Sequence, residues 1–438
     1  PRLSLSLGLR YEREMLPDPF SNLINPAVPQ TGHMPTDNNN LGPRVGFAFD
    51  VFGNGKTVLR GGYGVFYARV INSTIFSALT GTAMPGAQTS VSFTPATAGA
   101  PAFPVVFPAS APPPGKSVTY FDPNFQLPQI RQADLTVERD LGWGTMFSVS
   151  YLGSFGRQLP DFVDTNLNLS TKNINYTVLP GGPLAAGTVV SVPLFSGPRK
   201  NTAFGAVTDV FSGVTSNYQA LSIQANHRMS HHVQFGMNYT WSHALDDGVN
   251  GQTFTATNSL FNPFNARADY GNSIYNVPQR FVLNAVMTSP WRFNGWEKWL
   301  TNDWEIAPVY QIQSGLPVTV GVTGNAPGAT VSGITGSGGA NRIPSRNTVD
   351  MPGTWITDLR VSKSFAVTER YKVELLTDFF NLANKQNITG INTTGYSIGG
   401  TATAPTLVPV TTFGTPFSSN SNFIYSPRQI QLGARFHF

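Results

Sequence analysis

Hydrophobic and polar positions alternate residue by residue from the start of the chain. Leu3, Leu5, Leu7, Leu9 and Tyr11 are interleaved with Ser4, Ser6, Gly8, Arg10 and Glu12. Successive side chains of a strand point to opposite faces, so this spacing predicts a strand with one apolar face and one small or polar face. On a helix the same leucines would scatter around the axis. The pattern returns: Val45, Phe47, Phe49 and Val51 stand against Arg44, Gly46, Ala48 and Asp50, and Leu59, Tyr63, Val65 and Tyr67 against Arg60, Gly62 and Gly64. Between these two runs lies Gly53-Asn54-Gly55-Lys56, and Asn-Gly between alternating runs is the strongest short-range hairpin signal. Further pairs turn at Gly142-Trp143-Gly144 and at Ser230-His231-His232. A fourth joins Phe281–Met287 to Trp304–Ile312, a fifth turns near Thr368-Glu369, and the last run sets Ile430, Leu432, Ala434, Phe436 and Phe438 against Gln429, Gln431, Arg435 and His437.

The count is about twelve strands of roughly ten residues, the length that crosses a bilayer at a ~45° tilt. Short and long connections alternate. The short ones follow the second, fourth, sixth, eighth and tenth strands, the longest of them covering Pro290 to Asp303. Bacterial outer-membrane barrels have this asymmetry, with short periplasmic turns and long extracellular loops. The parity places the C-terminus on the periplasmic side. Residues 85–115, rich in Ala, Pro, Ser and Thr, and residues 321–345, rich in Gly, Ala, Thr and Asn, read as long structureless loops. Such loops are uncommon in compact soluble domains.

A soluble sandwich or propeller also alternates. Against it stand strands longer than the soluble norm, a polar face in which Gly, Ser, Thr, Asn and Gln outnumber charges, and aromatics near strand ends. The last are Tyr11, Tyr67, Tyr151, Tyr239, Trp241, Trp291, Trp304, Trp355 and Tyr371, as interfacial girdles require. The expected fold is therefore all-β: a transmembrane antiparallel up-and-down β-barrel, embedded in the lipid bilayer of the outer membrane.

Composition agrees. Only 12% of the 438 residues are charged, about half the ~25% usual for soluble proteins. The absence of cysteine excludes disulfides, Cys-ligated zinc and thiol nucleophiles. The net charge of +5 is spread without a basic run, so nucleic acid is not expected as a partner. No apolar stretch reaches the ~18 residues of a membrane helix, and no signal peptide precedes the first strand. The chain opens at Pro1 and is in strand pattern by Leu3, which reads as a fragment of a longer protein.

Candidate chemistry is sparse. His231-His232 reads as a polar periplasmic turn, and His243 with Asp246 and Asp247 as a solvated rim rather than a metal site. The Arg60-Gly61-Gly62-Tyr63-Gly64 segment lacks the following helix of a phosphate cradle, so its inner-face glycines are expected to leave room for an inserted domain or to kink the strand. No nucleophile elbow, HExxH motif or P-loop occurs. The expectation is no enzyme and no catalytic, cofactor-binding or metal-ligating residue, with the substrate-binding residues unknown. Arg10, Glu12, Arg44, Arg60, Asp134, Glu138, Asp358, Arg360, Glu374, Asp378 and Arg435 fall on the predicted inner face. They suit either contacts to an inserted plug or simple hydration of the lumen. Ligand contacts are expected from the long loops and the upper lumen. The final Phe438 resembles the terminal aromatic read by the outer-membrane assembly machinery, an expected partner of the last strand.

Several stretches together resemble the Oar-like group of TonB-dependent receptors. They are LGPRVGFAFDVFGNGKTVLRGGYGVFYAR (Leu41 to Arg69), NYQALSIQANHRMSHHVQFGMNYTWSHALDDG (Asn217 to Gly248), NARADYGNSIYNVPQRFVLNAVMTSPW (Asn265 to Trp291), QSGLPVTV (Gln313 to Val320) and RQIQLGARFHF (Arg428 to Phe438). The resemblance implies a barrel of about 22 strands with a plugged lumen, of which residues 1–438 would be the C-terminal portion. The plug, and any carboxypeptidase-regulatory-like domain, would lie outside this chain. It implies uptake of an extracellular substrate, of unknown identity, driven by the TonB–ExbB–ExbD complex acting through the plug. Two rivals stay open: a plugless passive pore, and a surface adhesion or secretion-related protein.

Overall fold

The computed structural model describes residues 2–88, 117–248, 260–329, 331–339, 341–368, 370–421 and 425–438. Its main sheet follows one antiparallel path of twelve strands in chain order. These are β1 (Leu3–Glu12), β2 (Asn40–Asp50), β3 (Thr57–Tyr67), β4 (Gln129–Gly142), β5 (Thr145–Asp164), β6 (Val207–Ser230), β7 (Val233–Asp246), β8 (Gln279–Thr288), β9 (Trp304–Gln313), β10 (Thr354–Ala366), β11 (Lys372–Phe380) and β12 (Gln429–His437). Among the described residues β1 pairs only with β2, and β12 only with β11.

Short connections span 51–56, 143–144, 231–232, 289–303 and 367–371, and long ones lie between them as expected. Of the fifth expected turn, Thr368-Glu369, residue 369 lies outside the described residues. Two hairpins close on only two residues, Trp143-Gly144 and His231-His232, all four with positive φ. That geometry matches the twist of the flanking strands. In the Asn-Gly turn the Asp50 carboxylate accepts from the Gly53 and Gly55 amides, at 2.9 and 2.8 Å.

The registers carry the alternation across the whole sheet. One lateral row runs Leu3, Phe49, Leu59, Val137, Val149, Ile223, Tyr239, Phe281, Ile312 and Trp355, each paired with the next. This face is not covered by a second layer: Leu7 and Leu432 are each 76% exposed. In water each such side chain would forgo about 1.5–3 kcal/mol of burial. Against hydrocarbon the same face is the favourable one. Aromatics mark both rims, with Phe281, Tyr310 and Trp355 in contact at one and Trp299–Phe365 and Tyr371–Phe436–Phe438 stacked at the other. The Lys363 amine reaches back over Trp304 and Phe365 to the Asn302 carbonyl, so its stem lies on the apolar face while its charge stays at the rim.

Two expectations are corrected. β5 and β6 have 20 and 24 residues, not about ten. They continue past a bulge at Gly156–Pro160, where Gln158 has φ 54°, into a tall extracellular wall. Strand Val118–Phe121 joins this wall parallel to β6, and helix α1 (Asn72–Thr80) packs on Phe121 and Phe162. The second correction concerns the loops. Residues 89–115 lie outside the described residues, but 321–329, 331–339 and 341–345 are built into a folded cap. Gly321–Thr323, Thr394–Gly400, Pro405–Pro409, Asn173–Val178 and Val189–Pro193 form one five-stranded sheet drawn from three separate loops. Its core holds Tyr176, Val192, Ile334, Tyr396 and Leu407, all with 0% exposure. The hydroxyl of Tyr176 donates to the Ile334 carbonyl (2.9 Å), and Tyr396 accepts from the Leu184 amide (2.7 Å), so both buried phenols are partnered. Burial pushes Tyr176 up to about 12, which keeps it a donor. The buried apolar clusters of this molecule thus lie above the membrane, not inside the barrel wall.

Candidate ligand vestibule

The upper ends of β4–β7 and the loops beside them enclose a cavity of about 490 Å³. Its floor is inner-face side chains that the registers align: Ile130, Ser154, Ser216, Tyr218, Ala244 and Asp246. Its walls come from Leu159, Pro160 and Val214 above the bulge, and from Ser273, Ile274 and Tyr275 of the loop after β7.

Residues 273–276 of that loop are pinned to β7. The Ser273 amide donates to the Ala244 carbonyl (2.9 Å), and the buried Asn276 side chain accepts from the Ala244 amide (2.8 Å). The turn so fixed leaves Tyr275 78% exposed at the cavity rim.

Among the described residues Asp246 is the one carboxylate lining the cavity, and it is paired. The buried Arg346 guanidinium lies 2.6 Å from it, and also donates to the Asp246 and Asp269 carbonyls at 3.2 and 2.8 Å. Arg342 pairs with the buried Asp269 and lies over Phe261. Asn347 and Asn272 exchange side-chain-to-backbone bonds beside them. This clamp ties the loop after β7 to the loop after β9. Arg157, at the bulge, donates to the carbonyls of Gly156 and Ser216 and to Asn217.

Below the cavity the inner face of β5–β7 is polar and uncharged. It runs Met146 to Ser154 on β5, Ser216 to Asn226 on β6 and Gln234 to Ala244 on β7, and none of these alternate residues is Asp, Glu, Lys, Arg or His. Thr136 donates to Ser150, and Asn238 to Ser222, each at 2.9 Å. The charges lie to either side. Arg10 pairs with Glu12 (2.8 Å), Arg60 with Glu138 (3.0 Å), Arg360 with Asp378 (2.6 Å), and Glu374 with Arg435 and His437. The Arg44 guanidinium lies over Phe66. Most inner-face charges are thus matched along or across strands of the wall itself.

The glycines of the Arg60–Gly64 segment make room for neighbours within the wall. A Cβ on Gly61 would stand 2.6 Å from the Phe47 ring, on Gly62 2.8 Å from the Asp134 carboxylate, and on Gly64 2.7 Å from the Phe66 ring. Neighbouring side chains of the wall fill the space. The grouping of His243, Asp246 and Asp247 dissolves: His243 bonds Asn272, Asp246 serves the clamp, and Asp247 accepts from Thr215. His231 and His232 form the tight turn anticipated for them.

The extracellular wall holds one unusual carboxyl. Burial, together with the nearby Asp122 charge, pushes Asp209 up to about 7, and its Oδ1 has no hydrogen-bond partner. Sequence reasoning did not find the vestibule. Its one visible signal is a pair of arginines, Arg342 and Arg346, in a loop whose one other charge is Asp350.

Comparison with known proteins fits this geometry. The family model described as outer membrane beta barrel domain matches residues 1–345 and 337–431. No curated protein matches the chain in sequence. Among solved structures, the outer membrane transporter YddB from Escherichia coli aligns with a TM-score of 0.51 at 12% identity, over 100% of this chain and 43% of that one. The FrpB iron transporter from Neisseria meningitidis (F5-1 variant) gives a TM-score of 0.48 at 11% identity, over 100% and 43%. The ferripyoverdine receptor of Pseudomonas aeruginosa gives 0.43 at 11% identity, over 93% and 34%. The chain therefore spans less than half the length of these proteins. With its family model covering most of the chain, its twelve-strand wall and its largely apolar outer face, the protein belongs to the outer membrane beta barrel domain family and resides in the outer membrane.

Proposed function

We propose that this chain is the C-terminal part of a transporter barrel of the Oar-like, TonB-dependent type, which captures a ligand outside the cell and passes it inward without bond chemistry. In this reading TonB–ExbB–ExbD supplies the energy by acting on a plug domain that is not among these residues. The observation that carries it is the vestibule: a walled cavity at the extracellular end of the wall, opening onto a hydrogen-bonding inner face. Rigid scaffolds commonly present recognition loops in this way. The long Oar-like stretches in the sequence support the subfamily.

The test is conductance. Full-length protein purified from outer membranes and inserted into planar bilayers is expected to give no steady current, since a plugged lumen blocks ions. Stable, long-lived channels would overturn the reading in favour of a passive pore.

A further inference from the structure

We infer that the vestibule takes a neutral oligosaccharide. This rests on the reading of the cavity as the ligand entrance, and deepens it by naming the ligand chemistry.

The cavity's walls are mostly carbon, from Ile130, Leu159, Pro160, Val214 and Ile274. Hydroxyl groups of Ser154, Ser216 and Tyr218 are interspersed among them. Its single carboxylate is matched by Arg346, which is itself buried. The guanidinium of Arg157 is engaged by three protein acceptors. An anionic ligand would find no cation presented to it, and a cationic one would compete with Arg346 for Asp246. Burying either charge unpaired is strongly unfavourable.

A sugar ring has the complementary chemistry, with C–H faces flanked by hydroxyls. Tyr275 stands at the rim as an exposed aromatic plate on a turn that is pinned to β7. A ring laid on that plate presents its hydroxyls to Ser154 and Ser216 on the inner face. The inner face continues the same chemistry below: Thr136 and Ser150, then Ser222 and Asn238, form rows of neutral donors and acceptors. On β5–β7 a polyhydroxylated chain can exchange hydrogen bonds with Ser150, Ser222 and Asn238 without meeting a charge, while on β4 Asp134 and Glu138 flank Thr136. The volume lies within the range of small-ligand sites, ~300–1,000 Å³.

The full-length protein in detergent is applied to immobilised maltohexaose, cellohexaose, xylohexaose and mannohexaose, with polygalacturonate and a ferric catecholate as charged controls. Binding to at least one neutral hexaose and to neither control is expected. Tyr275→Ala should weaken it roughly tenfold, while Tyr275→Trp keeps it within about threefold. Tyr275 is exposed, so neither change threatens folding. No neutral binding, equal binding of a charged control, or indifference to Tyr275→Ala would each overturn the inference. Transport is read separately, as accumulation of the bound hexaose in cells with and without ExbB. Binding without ExbB-dependent accumulation would defeat the transporter reading and leave the ligand class standing.

Discussion

At the scale of single residues, the molecule places ionisable groups where their pairing decides the outcome. Arg342 and Arg346 are buried against Asp269 and Asp246, in a loop region otherwise poor in charge. Such pairs add little net stability over apolar packing, but losing one member leaves a buried charge without a counterion. Their use is to fix register between two loops. Asp209 is the opposite case, a buried carboxyl whose Oδ1 has no hydrogen-bond partner and whose neighbouring charge, Asp122, is of the same sign. The unfolded chain releases this proton near the ordinary value of 3.8, whereas the folded wall retains it to about 7. Between those values the folded state binds more protons, so its stability falls as pH rises through that window. Melting of the protein in detergent is therefore expected to occur at lower temperature at pH 8 than at pH 5. Asp209→Asn should flatten the difference. An unchanged pH profile in that variant would show that another group is responsible.

At the scale of elements, the strands were legible because their period of two is set by backbone geometry and is repeated in every register. Turn positions were legible for a similar reason: Gly53 and Gly55, and His231-His232, interrupt the alternation where φ turns positive. Non-glycine residues in that region each carry about 1–2 kcal/mol of strain. Replacing the second pair, His231→Asn with His232→Gly, should thus stabilise the β6–β7 hairpin by roughly 1 kcal/mol, read as a higher urea midpoint in lipid vesicles. A lower midpoint would mean that the imidazoles hold the hairpin by contacts worth more than the strain. One such contact is His232 with Thr288, at 3.3 Å. The cap was illegible because its strands are short, rich in Gly and Pro, and paired across great separations. Val189–Pro193 and Pro405–Pro409 share one sheet, yet neither shows a long alternating run. The vestibule was illegible for a further reason. Its Tyr275, Arg346 and Ser154 come together only once the loops are folded.

At the scale of the whole molecule, one face is solvated by lipid and the other by water, and adjacent residues test this directly. Leu135 is outward and Thr136 inward on β4. Leu135→Arg should destabilise folding into phosphatidylcholine vesicles by about 2–4 kcal/mol, and Thr136→Arg by far less. Equal effects would contradict the membrane orientation. The cap above this wall gathers its buried side chains from loops after β5, β9 and β11, with Tyr176 bonded to Ile334 and Tyr396 to Leu184. None of those loops can complete that interior alone, so the last one synthesised acts as a keystone for the first. What an antibody or a phage meets at the cell surface is accordingly a composite of distant sequence. Escape by altering one loop must still satisfy the other two, which leaves only the outermost side chains free to diversify.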